Sequence, residues 1–277
     1  MPLLAFIIGL ILGSFLSVVF MRLEINEAAG ASRRKRSKKV AKEIMFGRSR
    51  CDHCKRQIAW YDNIPLVSYL LLRGQCRHCG QPIDQYHPVL ELCSGLLVAT
   101  AYLYYGATWQ MVVAGLFGLF MLLIFSYDLR HQIIPNVVVV PAIVLALVVL
   151  LYQFLLFSGH AGWQLTLWSS DPESSLLAGG AVGLFFLALS VVSRGTWIGG
   201  GDIKLAVLIG LLVGWPYALV AVMLAYLTGT LYAVLLLVFG KATLKSSIAF
   251  GPMLVIGYFV AAFYGDVIVN WYQGLTL

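Results

Sequence analysis

Apolar residues run along this chain in long stretches broken by short polar punctuation. About 20 consecutive apolar residues carry a helix across a bilayer. Eight stretches predict such helices, roughly 3–21, 89–106, 108–127, 134–157, 176–193, 203–214, 216–239 and 251–272. The sixth is short. Gly214-Trp215-Pro216 parts it from the seventh, and the 37 residues of 203–239 are too long for one crossing. The first stretch, Leu3 through Phe20, has the look of a signal peptide. No basic residue precedes it and no small-x-small cleavage site follows, so a retained span is expected. The only long polar segment is 22–88, which divides the chain into a first helix (1–21), a loop (22–88) and a membrane domain (89–277).

Composition supports the membrane assignment: 60% of residues are hydrophobic and 11% charged, against roughly 25% charged in soluble domains. The net charge of +7 is unevenly spread. Of 19 Lys and Arg, 14 lie between Arg22 and Arg77. Basic loops stay in the cytoplasm, so this loop is expected inside and the amino terminus outside. Eight crossings then place Arg130, Arg194, Lys204, Lys241 and Lys245 on the cytoplasmic side, and leave Asp171 and Glu173 in an outer loop with no Lys or Arg. Orientation accounts for the surplus, with anionic lipid contact through the basic insert as an addition. No specific nucleic-acid partner is expected.

The loop divides in two. Arg33 through Lys42 is a charge run without apolar periodicity. Beyond it lie Cys51-Asp52-His53-Cys54 and Cys76-Arg77-His78-Cys79, two knuckles separated by 21 residues. That spacing fits a zinc ion held by Cys51, Cys54, Cys76 and Cys79. Two disulfides or a redox pair is the competing reading, disfavoured by the cytoplasmic side. Four thiolates leave zinc no open position, so its role is structural, stapling a segment too small for its own core. His53 and His78 read as surface or supporting residues, and Cys93, alone in the second span, as a packing residue. The predicted fold is an all-α polytopic membrane protein of about eight transmembrane helices, with a small cytoplasmic zinc-ribbon-like domain between the first two.

Two carboxylates remain. Asp128 closes the run Phe125-Ser126-Tyr127-Asp128, just before the Pro135 that opens the next span. Asp202 follows Gly199-Gly200-Gly201. Ionisable groups at membrane depth are costly and usually functional. A pair from distant segments suggests a shared-proton acid/base couple: one carboxylate takes a proton from water while the other polarises a peptide carbonyl. Three glycines leave room for an extended substrate strand beside Asp202. The bland reading pairs Asp128 with Arg130 and Asp202 with Lys204. Glu91 reads as a snorkelling or interfacial residue, and Asp266 as a solvated one at the outer end of the last span.

With these residues in place the chain resembles the type IV prepilin peptidases, the bifunctional leader peptidase/N-methyltransferases of pilus and type II secretion systems. The resemblance rests on Gly13-Ser14-Phe15-Leu16-Ser17-Val18-Val19, on the two knuckles flanking Asn63-Ile64-Pro65-Leu66-Val67-Ser68 and Leu72-Arg73-Gly74, on Asp128 upstream of Ile134-Pro135, on the Gly-x-Gly-Asp at Asp202, and on Phe250-Gly251-Pro252. The chain departs from the family at Ser17, where Asn is usual, at Tyr86-His87-Pro88, where Arg-Tyr-Pro is typical, and in a longer basic insert around 28–47. The resemblance implies catalytic roles for Asp128 and Asp202 in an intramembrane aspartic peptidase domain. It implies cleavage of prepilins or pseudopilins after a Gly at the cytoplasmic face of the bacterial inner membrane. It also implies methylation of the new amino terminus from S-adenosylmethionine. No strand–Gly-x-Gly–helix nucleotide pattern occurs in the loop, so a methyl-donor site would need a pocket between the zinc lobe and the helices. Two other readings stand beside this one: an ion-coupled transporter using the same aspartates, and a zinc-stapled membrane adaptor without chemistry.

Overall fold

A computed structural model describes residues 1–28, 50–51, 53–157, 172–241, 243, 246 and 248–276. The basic run Arg33–Lys42, most of the insert around 28–47, Asp171 with most of its loop, and Lys245 lie outside the described residues.

Every predicted apolar stretch is a helix, and no β-strand occurs among the described residues. The helices are α1 (Pro2–Ala28), α2 (Val67–Leu71), α3 (Tyr86–Tyr105), α4 (Trp109–His131), α5 (Asn136–Phe157), α6 (Pro172–Val192), α7 (Gly200–Val213), α8 (Tyr217–Val238) and α9 (Gly251–Thr276). Among the described residues seven helices are long and apolar enough to cross a membrane. The eighth expected span is α7, whose 14 residues extend about 21 Å, short of a full crossing. Several boundaries move outward from the apolar runs. α1 continues past 21 to Ala28, because Arg22, Leu23 and Glu24 are good helix formers and Leu23 is buried. α4 continues past 127 to His131, so Asp128 sits inside its last turn. α6 starts at Pro172, where a missing N–H costs nothing.

The contacts divide the chain into two compact units, Met1–Leu123 and Ile124–Leu277. In the first, α1 and α3 pack antiparallel through small residues. A methyl group at Gly9 would meet the Gly95 Cα at 2.8 Å, and one at Gly13 would meet the Glu91 Cα at 2.8 Å. Without a water-driven hydrophobic force, close backbone approach of this kind is what holds membrane helices together. Gly13→Leu is therefore expected to destabilise the unit by about 1–3 kcal/mol. Thermal unfolding in detergent checks this, with Gly274→Leu, where nothing lies within 4 Å, as the neutral control.

Between α1 and α3 lies the cysteine lobe. Its two knuckles are the same turn used twice. The Cys51 N–H donates to the Arg56 carbonyl and the Lys55 N–H to the Cys51 carbonyl, both at 2.9 Å. The Cys76 N–H donates to Gln81 at 2.8 Å and the Gly80 N–H to Cys76 at 2.9 Å. Lys55 (φ 56°) and Gly80 (φ 68°) hold the equivalent left-handed position. One antiparallel bridge closes each knuckle, Arg50 with Gln57 and Gln75 with Pro82. The stretch between them forms a 3-10 turn, Trp60–Asn63, and then α2. Arg77 grips Asp62 of that turn with both arms, at 2.6 to 3.1 Å, and lies over the Tyr61 ring. That bidentate grip keeps the guanidinium charged beyond its already high ordinary pKa.

In the second unit α7 is enclosed by α5, α6, α8 and α9, and its residues from Leu205 to Val213, except Val207, are buried. Gly179 and Gly183 of α6 admit it closely: methyl groups there would meet Leu211 at 2.8 Å and Val207 at 2.5 Å. The chain ends α7 at Gly214 with φ 68°, a conformation glycine takes without steric cost.

Candidate active site and metal centre

The C-terminal end of α4 and the N-terminal ends of α5, α7 and α9 meet on one face of the second unit. Gln132 ends α4 in the left-handed region, φ 53°, and its N–H donates to the Asp128 carbonyl at 2.8 Å. Pro135 then opens α5, its carbonyl accepting from Val138 and Val139 at 3.0 and 3.1 Å. This tight reversal turns Ile134 inward, 7% exposed. A methyl group at Gly201 would lie 2.9 Å from the Ile134 Cβ, so the bare glycine lets the start of α7 rest against that side chain. A methyl group at Gly251 would overlap Asp128 Oδ2 and come within 3.2 Å of Ile134 Cδ1. Two glycines thus bring three distant segments around one isoleucine, with an aspartate on either side.

Asp128 is 4% exposed. Its Oδ2 is buried and has no hydrogen-bond partner, while the Gly251 backbone N–H faces the carboxylate. Asp202 is half-buried and occupies the first turn of α7, where its Oδ2 accepts from the Gly199 N–H at 3.3 Å. That bond points the carboxylate back over the helix start. Asp202 is near enough for its charge to act on Asp128. The positive ends of the α7 and α9 dipoles face the pair.

Lys204 takes a partner other than the Asp202 expected of it: it donates to Asn136 Oδ1 at 2.6 Å, a second tie between α5 and α7. Arg130 is exposed whereas Asp128 is buried, and residues two apart on a helix do not share a face. Beside the pair, Phe186, Tyr226 and Phe250 cluster with ring centroids 5.1 to 6.3 Å apart, and the Tyr226 ring lies within the electrostatic reach of Asp202. Tyr226 carries no signal in the sequence, being one tyrosine in a long apolar run. Gly251 does carry one, a glycine between Phe250 and the Pro252 of a helix start, but its contact with Asp128 is tertiary.

In the first unit the sulfurs of Cys51, Cys54, Cys76 and Cys79 all lie within 4.8 Å of one another, with Cys51 and Cys79 at 3.9 Å. Sulfurs about 2.3 Å from a tetrahedral ion stand about 3.8 Å apart, so these four cysteines can hold a metal ion. Backbone N–H groups of Cys79 and His78 pull the Cys76 thiol down to about 7. The Gln81 N–H favours the Cys79 thiolate, but burial and the neighbouring thiols outweigh it and push that thiol up to about 11. Four crowded thiols of this kind need a cation before all can ionise. His53 and His78 are exposed and outside the cluster, and Cys93 is half-buried in α3.

One reading of an acidic residue changes. Glu91 does not snorkel to water: it is 8% exposed, because the α1–α3 approach at Gly13 encloses it and the Leu66 N–H binds its Oε2 at 2.9 Å. Asp266 is exposed as expected, and it also accepts a hydrogen bond from the Tyr217 hydroxyl.

Two family models match the chain. The bacterial peptidase A24 N-terminal domain covers residues 7–105, and the type IV leader peptidase family covers residues 115–234. A prepilin leader peptidase/N-methyltransferase of Pseudomonas aeruginosa is 31% identical, over 96% of this chain and 91% of its own length. The chain belongs to the type IV leader peptidase family. Similar proteins of the same description occur in Stutzerimonas stutzeri, 30% identical over 97% of this chain and 92% of the relative, and in Bacillus subtilis, 28% identical over 98% of each. No solved structure matches. Membership makes the chain a multi-pass peptidase of bacterial type, and nothing supports the transporter reading. The boundary between the two family models, 105 to 115, falls at the short connection from α3 to α4.

Proposed function

We propose that this protein is a prepilin leader peptidase in which Asp128 and Asp202 are the catalytic pair. The observation that carries the reading is the buried, unpartnered Oδ2 of Asp128 on the face where Asp202 begins α7. Evolution seldom leaves such a group unsatisfied without a water or substrate to meet it. The pair holds one proton. The ionised carboxylate takes a proton from a water between them, and the water oxygen attacks the carbonyl carbon of the scissile peptide. The protonated carboxylate hydrogen-bonds the carbonyl oxygen as charge develops there. Collapse of the tetrahedral species breaks the C–N bond, and the departing nitrogen takes up a proton from the pair.

The substrates are prepilins or pseudopilins, cut after Gly between basic leader and hydrophobic helix. The proposed setting is the bacterial inner membrane, with the amino terminus outside and the cysteine lobe and aspartates facing the cytoplasm. The basic loop and the shared end of α4, α5, α7 and α9 support that orientation, and the basic insert is suited to anionic lipid. Zinc is the proposed occupant of Cys51, Cys54, Cys76 and Cys79, with a structural role. The second activity is N-methylation of the new amino terminus. S-adenosylmethionine would supply an electrophilic methyl group on sulfur. A cavity of about 1060 Å³ between α1, α3 and the cysteine lobe is large enough for a nucleoside-sized ligand.

Co-expression with a prepilin, followed by its intact mass, tests both activities: loss of the leader, then the added mass of one methyl. An unprocessed precursor beside folded wild-type enzyme would sink the proposal. Geometry gives a finer test. Gly251→Ala is expected to lower kcat/KM for leader removal about 100-fold, because its methyl group displaces the Asp128 carboxylate. Wild-type rates in a folded Gly251→Ala protein would show that this contact does not position the reacting group.

A further inference from the structure

The cavity of the first unit contains a carboxyl group that neither peptide hydrolysis nor metal binding uses. Glu91 lies in the second turn of α3 and lines the cavity together with Ser14, Ser17, Arg22, Leu66 and His87. More than nine-tenths of the residue is buried. Its Oε2 accepts the Leu66 N–H, and the Ser14 hydroxyl is also within hydrogen-bonding reach. A glutamine oxygen would accept the Leu66 N–H as well as the carboxylate does, so that bond alone calls for no charge. The groups that bind Glu91 are neutral, a backbone N–H and a hydroxyl, and the cavity's Asp62 is already matched by Arg77. A buried carboxylate without a counter-ion is costly, yet here it faces a large open space.

We infer that Glu91 is the counter-ion for a primary ammonium group on a ligand taken up by this cavity. This rests on the N-methyltransferase reading, which offers two sources of that group. One is the new amino terminus of the cleaved substrate, and the other is the amino-acid end of the methyl donor. In the first case Glu91 accepts a proton from the ammonium. The freed nitrogen lone pair then forms the C–N bond as the S–CH3 bond breaks, its electron pair staying on sulfur to leave a neutral thioether. In the second case Glu91 only orients the donor and takes no proton. Either way it is a binding residue of the methylation site.

The test measures affinities of the full-length protein in detergent for two matched pairs of probes. The first is a peptide with the amino-terminal sequence of the processed substrate, free or acetylated at its amine. The second is S-adenosylhomocysteine against methylthioadenosine, which lacks the amino-acid end. The wild type is expected to prefer the amine-bearing member of at least one pair by about tenfold or more. Glu91→Gln should reduce that preference to within about twofold while keeping the acceptor for the Leu66 N–H. Collapse in the peptide pair assigns the ammonium to the substrate, and collapse in the nucleoside pair assigns it to the donor. Preferences that survive in Glu91→Gln overturn the inference. So does a wild type indifferent in both pairs, whether or not the variant folds. Wild type that binds the free amine but never methylates it would end the methyltransferase reading and leave Glu91 as an ammonium site.

Discussion

Asp128→Asn and Asp202→Asn are each expected to lower prepilin leader removal by at least about 1000-fold, with no loss of folded protein. The substitution keeps size and hydrogen-bonding shape and removes only the charge and the exchangeable proton. At Asp202 the amide oxygen can still accept from the Gly199 N–H, so the start of α7 keeps its form. At Asp128 the native oxygen is buried and unpartnered, so a neutral group there lifts a burial penalty. Stability should stay level or rise as activity vanishes, the trade-off expected where an active site carries strain. Processing assays with purified enzyme, paired with thermal unfolding, measure both quantities. Full processing by either variant would remove the two-carboxylate mechanism, and joint loss of activity and fold would recast the residues as structural.

Replacing Cys51 and Cys54 together by Ser is expected to unfold the cysteine lobe and release one metal ion per chain. The lobe has almost no core of its own. The Trp60–Asn63 turn buries nothing, and α2 buries only Ser68. Trp60, Leu70 and Leu71 are more than 70% exposed. Structural zinc contributes about 10–16 kcal/mol in small domains, far beyond what these few contacts supply. Limited proteolysis should cut the variant between 50 and 85 while the helices of the second unit stay intact. Leader removal should fall less than methylation, because the cavity wall includes the lobe and the aspartates lie in the other unit. Metal analysis of fresh wild type that finds no zinc would end the assignment, and a protease-resistant lobe in the double variant would show that it holds together without a metal.

Much of this architecture was legible along the chain because a bilayer imposes a simple rule. A helix in hydrocarbon must satisfy its own backbone and show apolar side chains, so each apolar run announced a helix. Boundaries were less legible. Asp128 and Arg130 look like the polar end of a span, yet helical hydrogen bonding continues through them to His131. The cysteine cluster was equally readable, since two knuckles at that spacing have few other uses. Glu91, read as a residue reaching towards water, is buried. Its burial depends on Gly13 letting α1 approach α3, and on Leu66 turning back from the lobe, and both contacts join residues far apart in sequence.

The amino-acid sequence by itself determined the helices, the four cysteines that can hold a metal ion, and which two acidic residues stand beside glycines and a span end. All of these follow from local composition and short spacing. Only the tertiary structure decided that Gly201 and Gly251 close on Ile134 and bring Asp128 and Asp202 to one face, that Lys204 bonds Asn136 rather than Asp202, and that Glu91 faces a cavity. Those outcomes depend on how closely backbones approach one another. The absence of a Cβ can be read at a glycine, but the partner that fills the space is set by packing across the whole unit.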